Sequence, residues 1–247
     1  MRPPTYDVLI AGAGPGGLTA TLALQRQGVR CLVLERARRD QLCADVGGGY
    51  HIGSTTLAML DHLGVGQPCR EAGLRFGAFH VFTADGWRLL RMPIPEHLDM
   101  VTMRRSVLQG VLVEAVGEEA LRCASGVATC AQDADRVEVT LESGDVVTGK
   151  LLIGADGVYS KVRQALFDDG PPRFCGVTCC WGRVDAGHSE ALIDLPTRDA
   201  FSLLGPGGSV AGATINSETL WSAFWCTPTF ERSPDAEQRK ARVHERF

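Results

Sequence analysis

The chain has 247 residues, 45% of them hydrophobic and 22% charged, which is enough to bury a full core in one large domain or two intertwined ones. Its 25 basic and 29 acidic residues leave a formal charge of -4 and contain no long block of one sign, so nucleic acid is not an expected partner. No stretch approaches the roughly 20 apolar residues of a membrane span. The first apolar run enters a glycine loop rather than a signal-peptide cleavage site, so a cytoplasmic protein is expected.

In chain order, YDVLIA (Tyr6 to Ala11) reads as a strand, AGAGPGG breaks it, and LTATLALQRQ carries helix formers up to Gly28, a left-handed cap. CLVLE (Cys31 to Glu35) is too continuously apolar for a half-exposed strand and is expected to be a parallel strand covered on both faces. A helix opens at Ser54, with Leu57, Leu60 and Leu63 on one face and Gly64 as its stop. FHVFTA and WRLLR form a hairpin around Asp85-Gly86, read as a tight two-residue turn. After Arg104-Arg105, Val107, Leu108, Val111, Leu112 and Ala115 make an apolar helix stripe that ends at Gly117.

Strands then return. Val137, Val139 and Leu141 alternate, Ser143-Gly144-Asp145 turns the chain, and Lys150 to Ala155 runs into a second glycine-containing loop. Beyond Phe174, strand candidates around Cys180-Trp181, Ala200–Leu204 and Leu220–Phe224 form a second sheet, and the charged tail from Ser233 is a polar helix. Gly205-Pro206-Gly207-Gly208 reads as a turn between strands. The fold class expected is α/β: a Rossmann-like domain with a parallel sheet (1–75 and 98–173), interleaved with a mostly β region (76–97 and 174–247).

Nine cysteines, with no C-x-x-C pair, do not form a disulfide framework, and a reducing compartment fits them. Cys175, Cys179 and Cys180 with His188 match no zinc spacing, and the other histidines have none either, so no metal is expected.

Gly12-Ala13-Gly14-Pro15-Gly16-Gly17 fits G-x-G-x-x-G directly after a strand and opening a helix. In that context Gly12 permits the tight turn, Gly14 lets a pyrophosphate approach the backbone, and Gly17 allows close packing of helix on strand. Glu35 ends the second strand, where a carboxylate can accept hydrogen bonds from ribose hydroxyls. An acidic group there does not suit a 2′-phosphate, so the tightly held dinucleotide is FAD or NAD rather than NADP.

GAGPGG with Glu35-Arg36, then GGGYHIGSTTLAMLDHLGV, RRSVLQGVL and GADGVYSKVR, occur in the order and spacing of the single-component FAD-dependent aromatic hydroxylases, and the chain resembles that p-hydroxybenzoate hydroxylase type over about residues 6 to 170. The resemblance implies FAD as cofactor. Gly12, Gly14 and Gly17 would hold its pyrophosphate and Glu35 its adenosine ribose, with Arg36 and the main chain of Val127 by the adenine. Arg105 would reach phosphate or flavin oxygens, and Asp156, with Gly157, Ser160 and Arg163, would serve both FAD and the reduced nicotinamide. Alternatives are a solvated Arg105 at its helix start and a structural ion pair between Asp156 and Arg163.

The implied reaction uses NADH or NADPH as transient donor and molecular oxygen to hydroxylate a small aromatic compound. The catalytic base is not identified, and Tyr50 and His51 are places to look. Thr21 stands where this fingerprint usually has Ala or Ser. A third family motif resembling G-D-A-A-H-P does not occur before Phe247, so the sequence is expected to lack the part that closes over the flavin ring. A halogenase or reductase of the same fold, or a non-catalytic FAD-binding fragment, are the other readings.

Overall fold

The computed structural model describes residues 6–45, 47–185, 195–196, 198–215, 218–230 and 235–246. They fall into two compact units that alternate along the chain. One takes the chain up to Asp45, Ala58–Cys69 and Ser106–Pro172; the other takes Val46–Leu57, Arg70–Arg105 and Arg173–Phe247.

In the first unit a six-stranded sheet has the order β8-β2-β1-β11-β10-β9. Its strands are β1 (Tyr6–Ala11), β2 (Cys31–Leu34), β8 (Leu121–Arg122), β9 (Val127–Gln132), β10 (Val137–Leu141) and β11 (Val146–Gly154). β1 lies parallel between β2 and β11, whereas β9, β10 and β11 form an antiparallel meander. Every residue of β2 is buried, as its unbroken apolar run requires of a strand covered on both faces. Leu9, Leu32, Leu34, Val139 and Leu141 make the centre of this core, each contributing roughly 1.5–3 kcal/mol by leaving water. Gly149 lacks a side chain for a packing reason: a Cβ there would sit 2.8 Å from Leu9 Cγ on the neighbouring strand.

Helix α1 (Pro15–Gln25) starts one turn before the apolar run, with Pro at its first position, where proline is favoured. Gly28, Gly64 and Gly117 all have positive φ, as expected of chain stops. In α5 (Arg105–Val116) the buried residues are Leu108, Gln109, Leu112, Val113 and Val116. The stripe expected through Val107, Val111 and Ala115 is therefore rotated by about one residue, and Ala115 is exposed. Gln109, Val113 and Val116, which the expected stripe left out, are buried instead.

The second unit holds a sheet of order β12-β15-β14-β13-β5-β6 and a small one of order β3-β7-β4. The large sheet comprises β5 (Ala78–Thr83), β6 (Arg88–Pro93), β12 (Val177–Asp185), β13 (Ala200–Gly205), β14 (Gly208–Ile215) and β15 (Glu218–Cys226); the small one comprises β3 (Gly49–Ile52), β4 (Leu74–Arg75) and β7 (Val101–Arg104). The strand pattern after Phe174 gave three of the large sheet's strands, and the Gly205–Gly208 turn joins β13 to β14. The Asp85-Gly86 hairpin differs from expectation. Thr83 N–H bonds to Trp87 O, leaving a three-residue loop with Gly86 at φ +89, the left-handed position of that longer loop. The same closure recurs between Leu141 and Asp145 around Gly144.

Short elements escaped the sequence pattern: α2 (Arg39–Leu42), α4 (Gly66–Ala72), and the strands β3, β4, β7 and β8. They are too short for a period to register. Helix α3 (Ser54–His62) begins where expected, and α6 (Lys161–Phe167) and the polar α7 (Ala236–Arg246) complete the described helices.

A polar pair lies inside the large sheet. His80 on β5 and Asp199, just before β13, meet at 2.8 Å with side chains 3% and 6% exposed. Gly77 is a glycine because a Cβ there would collide with the Asp199 carboxylate. His80→Leu leaves that carboxylate buried without its donor and should cost at least about 1–3 kcal/mol. The check is a lower urea midpoint; an unchanged midpoint would show that the pair contributes nothing.

Candidate functional site

The first unit brings two loops together at the ends of adjacent parallel strands. β1 leads into Gly12–Gly17 and β11 into Ala155–Gly157, and Ala155 N–H donates to Ala11 O at 2.8 Å. From β1 the chain crosses through α1 to β2 on one side, while β11 lies on the other. This is a switch point of the sheet, where open α/β folds bind ligands beyond the strand ends.

The glycines divide into two kinds. Gly12 has φ +98, and a Cβ there would lie 2.5 Å from Ala155 O; a Cβ on Gly17 would collide with Gly12 O. These two are fixed by the protein's own packing. Gly14 is the opposite case, with φ -71 and ψ 173, an ordinary extended conformation, and no atom within 4 Å of an added Cβ. The space in front of Gly14 is open.

Gly14 is also the N-cap of α1 and makes no side-chain cap. By position, the N–H groups of Gly16 and Gly17 have no partner inside the helix, and they carry the positive end of its dipole. An open cradle with uncapped N–H groups suits a diphosphate. Thr21 is fully buried, and its hydroxyl donates to Gly17 O at 2.8 Å, so the departure from a smaller residue is absorbed locally.

Glu35 holds this loop from the next strand. Its carboxylate accepts from Ala13 N and Ala37 N, both at 2.7 Å, one on each oxygen, and each oxygen keeps a further lone pair for a ribose hydroxyl. Ser125 N–H donates to Glu35 O and Ala124 N–H to Ala37 O. A Cβ on Gly126 would lie 2.9 Å from Arg36 Cβ. The structure thus lays the segment entering β9, up to Val127, alongside Glu35 and the exposed Arg36, and the positions expected around an adenosine are neighbours.

The Asp156 carboxylate has partners within its own loop. One carboxylate oxygen accepts from Ser160 Oγ at 2.5 Å, and the other from Lys161 N at 2.7 Å and Val162 N at 3.3 Å. It caps α6 and shapes the loop from within. Ser160 completes the cap by accepting from Arg163 N at 2.9 Å. The alternative ion pair between Asp156 and Arg163 is corrected: Arg163 pairs with Asp169 at 3.0 Å and donates to Val158 O at 3.1 Å instead.

Arg105 belongs to the second unit. Its side chain is exposed and passes Gly47, whose φ is +108 and whose missing Cβ would lie 3.3 Å from Arg105 Cδ. In the same unit His51 meets Thr102 Oγ1 through Nδ1 at 2.7 Å, and its ring lies 4.7 Å from that of Phe76. Desolvation of the ring lowers the His51 pKa from its ordinary value, so the imidazole is neutral near pH 7.

Gln109 was missed by sequence reasoning. It is buried on α5, and its side-chain amide donates to Ala13 O at 2.5 Å, so both polar groups of Ala13 are held, one by Glu35 and one by Gln109. Its signal was available: an amide inside an otherwise apolar helix face needs a partner.

Among the described residues no group of histidine, cysteine or carboxylate side chains could hold a metal ion, and His188 lies outside them. None of the nine cysteines forms a disulfide. No helix among the described residues is long and apolar enough to cross a membrane.

Glu35→Ala removes the acceptor of two backbone donors at once. It should destabilise the first unit by about 1.5–3 kcal/mol, read as a lower urea midpoint without added ligand. No change would mean that water replaces the carboxylate fully.

Comparison with known proteins agrees with this geometry. A family model described as "FAD binding domain" matches residues 5–171. The chain is 34% identical over 184 residues to 3-hydroxybenzoate 6-hydroxylase 1 of Aquipseudomonas alcaligenes, covering 70% of this chain and 45% of that protein. It is 31% identical to aurachin C monooxygenase/isomerase of Stigmatella aurantiaca, covering 97% and 62%. The chain thus spans about half to three fifths of these relatives' length. In fold, it superposes on Klebsiella pneumoniae HpxO complexed with FAD and uric acid with a TM-score of 0.82 at 22% identity, covering 97% of this chain and 61% of that one. With the family model spanning residues 5–171 and the two loops of the dinucleotide cradle in place, the chain belongs to the FAD-binding domain family.

Proposed function

We propose that this chain carries the cofactor-binding part of an FAD-dependent monooxygenase that hydroxylates a small aromatic compound in the cytoplasm. The observation that carries the reading is the open space before Gly14, flanked by uncapped N–H groups at the sheet's switch point. The named activities of the hydroxylase and monooxygenase relatives support it.

In this reading the backbone of Gly12, Gly14 and Gly17 takes the pyrophosphate, and the remaining lone pairs of Glu35 take the ribose diol. Arg36 and the Val127 main chain border the adenine. Arg105 supplies a fixed positive charge for phosphate or flavin oxygens. Asp156, in a loop shaped by the α6 cap, serves both FAD and the reduced nicotinamide. When bound, FAD takes reducing equivalents from NADH or NADPH and supplies the oxygen chemistry. The second unit, by this proposal, receives the substrate, and the neutral His51, held at Nδ1 by Thr102, is a candidate acceptor for a substrate proton.

The test is flavin absorbance after gel filtration with FAD, followed by NADH or NADPH oxidation with oxygen uptake and analysis for a hydroxylated product. Protein that elutes without flavin at saturating FAD overturns the proposal. Two glycine variants separate ligand from fold. A Cβ at position 14 meets no protein atom within 4 Å, so Gly14→Val should melt close to the wild type while losing FAD at least about tenfold, worth about 1.4 kcal/mol. Gly17→Ala should also lose stability, by about 1–3 kcal/mol of overpacking. Equal FAD retention by wild type and Gly14→Val rejects the cradle.

A further inference from the structure

The end of the large sheet at which β5 turns into β6 also carries the β13–β14 turn, the start of β12 and the end of β15. The registers require this, since Leu204 pairs with Thr83, Gly208 with Trp225 and Val177 with Cys226. Trp87, Leu89 and Phe230 are 74%, 61% and 62% exposed, the highest values among the large apolar side chains described in the second unit, and all three lie at this end. Trp87 closes the hairpin turn, and Leu89 falls at the break in register between β5 and β6. Phe230 follows β15, and its ring lies 5.7 Å from that of Phe174, just before β12. Val177 and Leu204, also exposed, extend the apolar rim.

Charge is divided along the same strands. The acidic residues of the six strands are Asp185 and Glu218, paired across β12 and β15 at the opposite end, where Glu218 meets Arg104 and Arg183. The apolar end has the exposed guanidiniums of Arg88, Arg91 and Arg173. It also has that of Arg246 on α7, 3.1 Å from where a Cβ of Gly207 would lie. None of these four forms an ion pair among the described residues. Asp85 in the hairpin turn and Glu245 beside Arg246 are acidic, which leaves cations in excess.

The six-strand order puts β12 and β6 at opposite edges, so at ~4.8 Å per strand the apolar side chains spread over roughly 24 Å, beyond the reach of one small ligand. A second copy meeting this end face to face would set cations against cations. A dry protein interface would have to bring a carboxylate to each guanidinium between the leucines of WRLLR. At an anionic bilayer the phosphates already lie directly above the acyl chains. Leucine and phenylalanine can enter the hydrocarbon, arginine can reach back to the headgroups, and tryptophan suits the boundary.

We propose that this end of the sheet docks on the surface of a bilayer containing anionic lipid, with Trp87, Leu89 and Phe230 in its outer layer and the four arginines against the headgroups. Docking of this kind is peripheral and needs no membrane-spanning helix. It goes beyond the monooxygenase reading and does not depend on it, since the FAD cradle belongs to the first unit.

Co-flotation of the full chain with vesicles of phosphatidylcholine, alone or mixed with phosphatidylserine, tests this. Partition onto the mixed vesicles should be at least ~10-fold stronger and should fall as salt is raised. Trp87→Ser combined with Leu89→Ser should weaken it at least ~10-fold, and Arg88→Glu by a similar factor. Met59→Ser removes a comparably exposed side chain from the first unit and should leave it unchanged. Each variant alters exposed side chains and should keep the wild-type urea midpoint. Equal partition onto both vesicles, none onto either, or partition undiminished in the Trp87 and Leu89 variant or in Arg88→Glu overturns the proposal. So does an equal loss in Met59→Ser. A wild-type dimer in sedimentation velocity that Trp87→Ser dissociates also overturns it, since a second copy would then occupy this end.

Discussion

Between Gly12 and the carbonyl of Ala155 there is no room for a methyl group, and much of the first unit follows from that contact. It requires β1 and β11 to be adjacent, parallel and level at their ends, and the hydrogen bond from Ala155 N to Ala11 O holds them so. Gly17 then packs α1 onto Gly12, which aims the uncapped helix end into the space beyond the strands. Glu35 and Gln109 grip Ala13 from two sides, so the loop's conformation is set before any ligand arrives. A cradle built in advance loses little conformational entropy on binding.

Much of this was legible because it rests on local chemistry. A strand, six residues with four glycines, a proline and a helix admit few geometries, and Glu35 sits where the second strand of such a unit ends. The GADG segment could be placed by its resemblance, but the internal partners of its aspartate could not. Asp156 caps a seven-residue helix, and the partners of that cap became apparent only once the turn through Gly157, Ser160 and Lys161 was known. Gln109 was hidden for a related reason: a count of apolar positions treats a buried amide as noise, and its partner lies 96 residues earlier in the chain.

The second unit was legible as β structure and little further. Its strands pair over long separations, β13 lying parallel to β5 more than a hundred residues away, and no local pattern specifies such a register. Glycines do part of the specifying. A Cβ on Gly182 would meet the Trp221 ring at 2.7 Å, and one on Gly212 would meet the Phe201 ring at 2.8 Å. Each aromatic ring covers a glycine on an adjacent strand, so a slip by one residue would drive a ring into a side chain. The buried His80 and Asp199 pair adds a polar constraint to the same alignment, since each leaves the other unsatisfied if the strands shift.

The glycines of the first loop bear on evolution as well as on binding. Gly12 and Gly17 are held by the protein's own backbone, so any descendant that keeps the fold must keep them. A Cβ on Gly14 would meet nothing within 4 Å, and the residue's conformation suits any amino acid. Selection can therefore act on position 14 only through what the loop binds. In a lineage that gave up its nucleotide, position 14 would be free to drift while its neighbours stayed fixed.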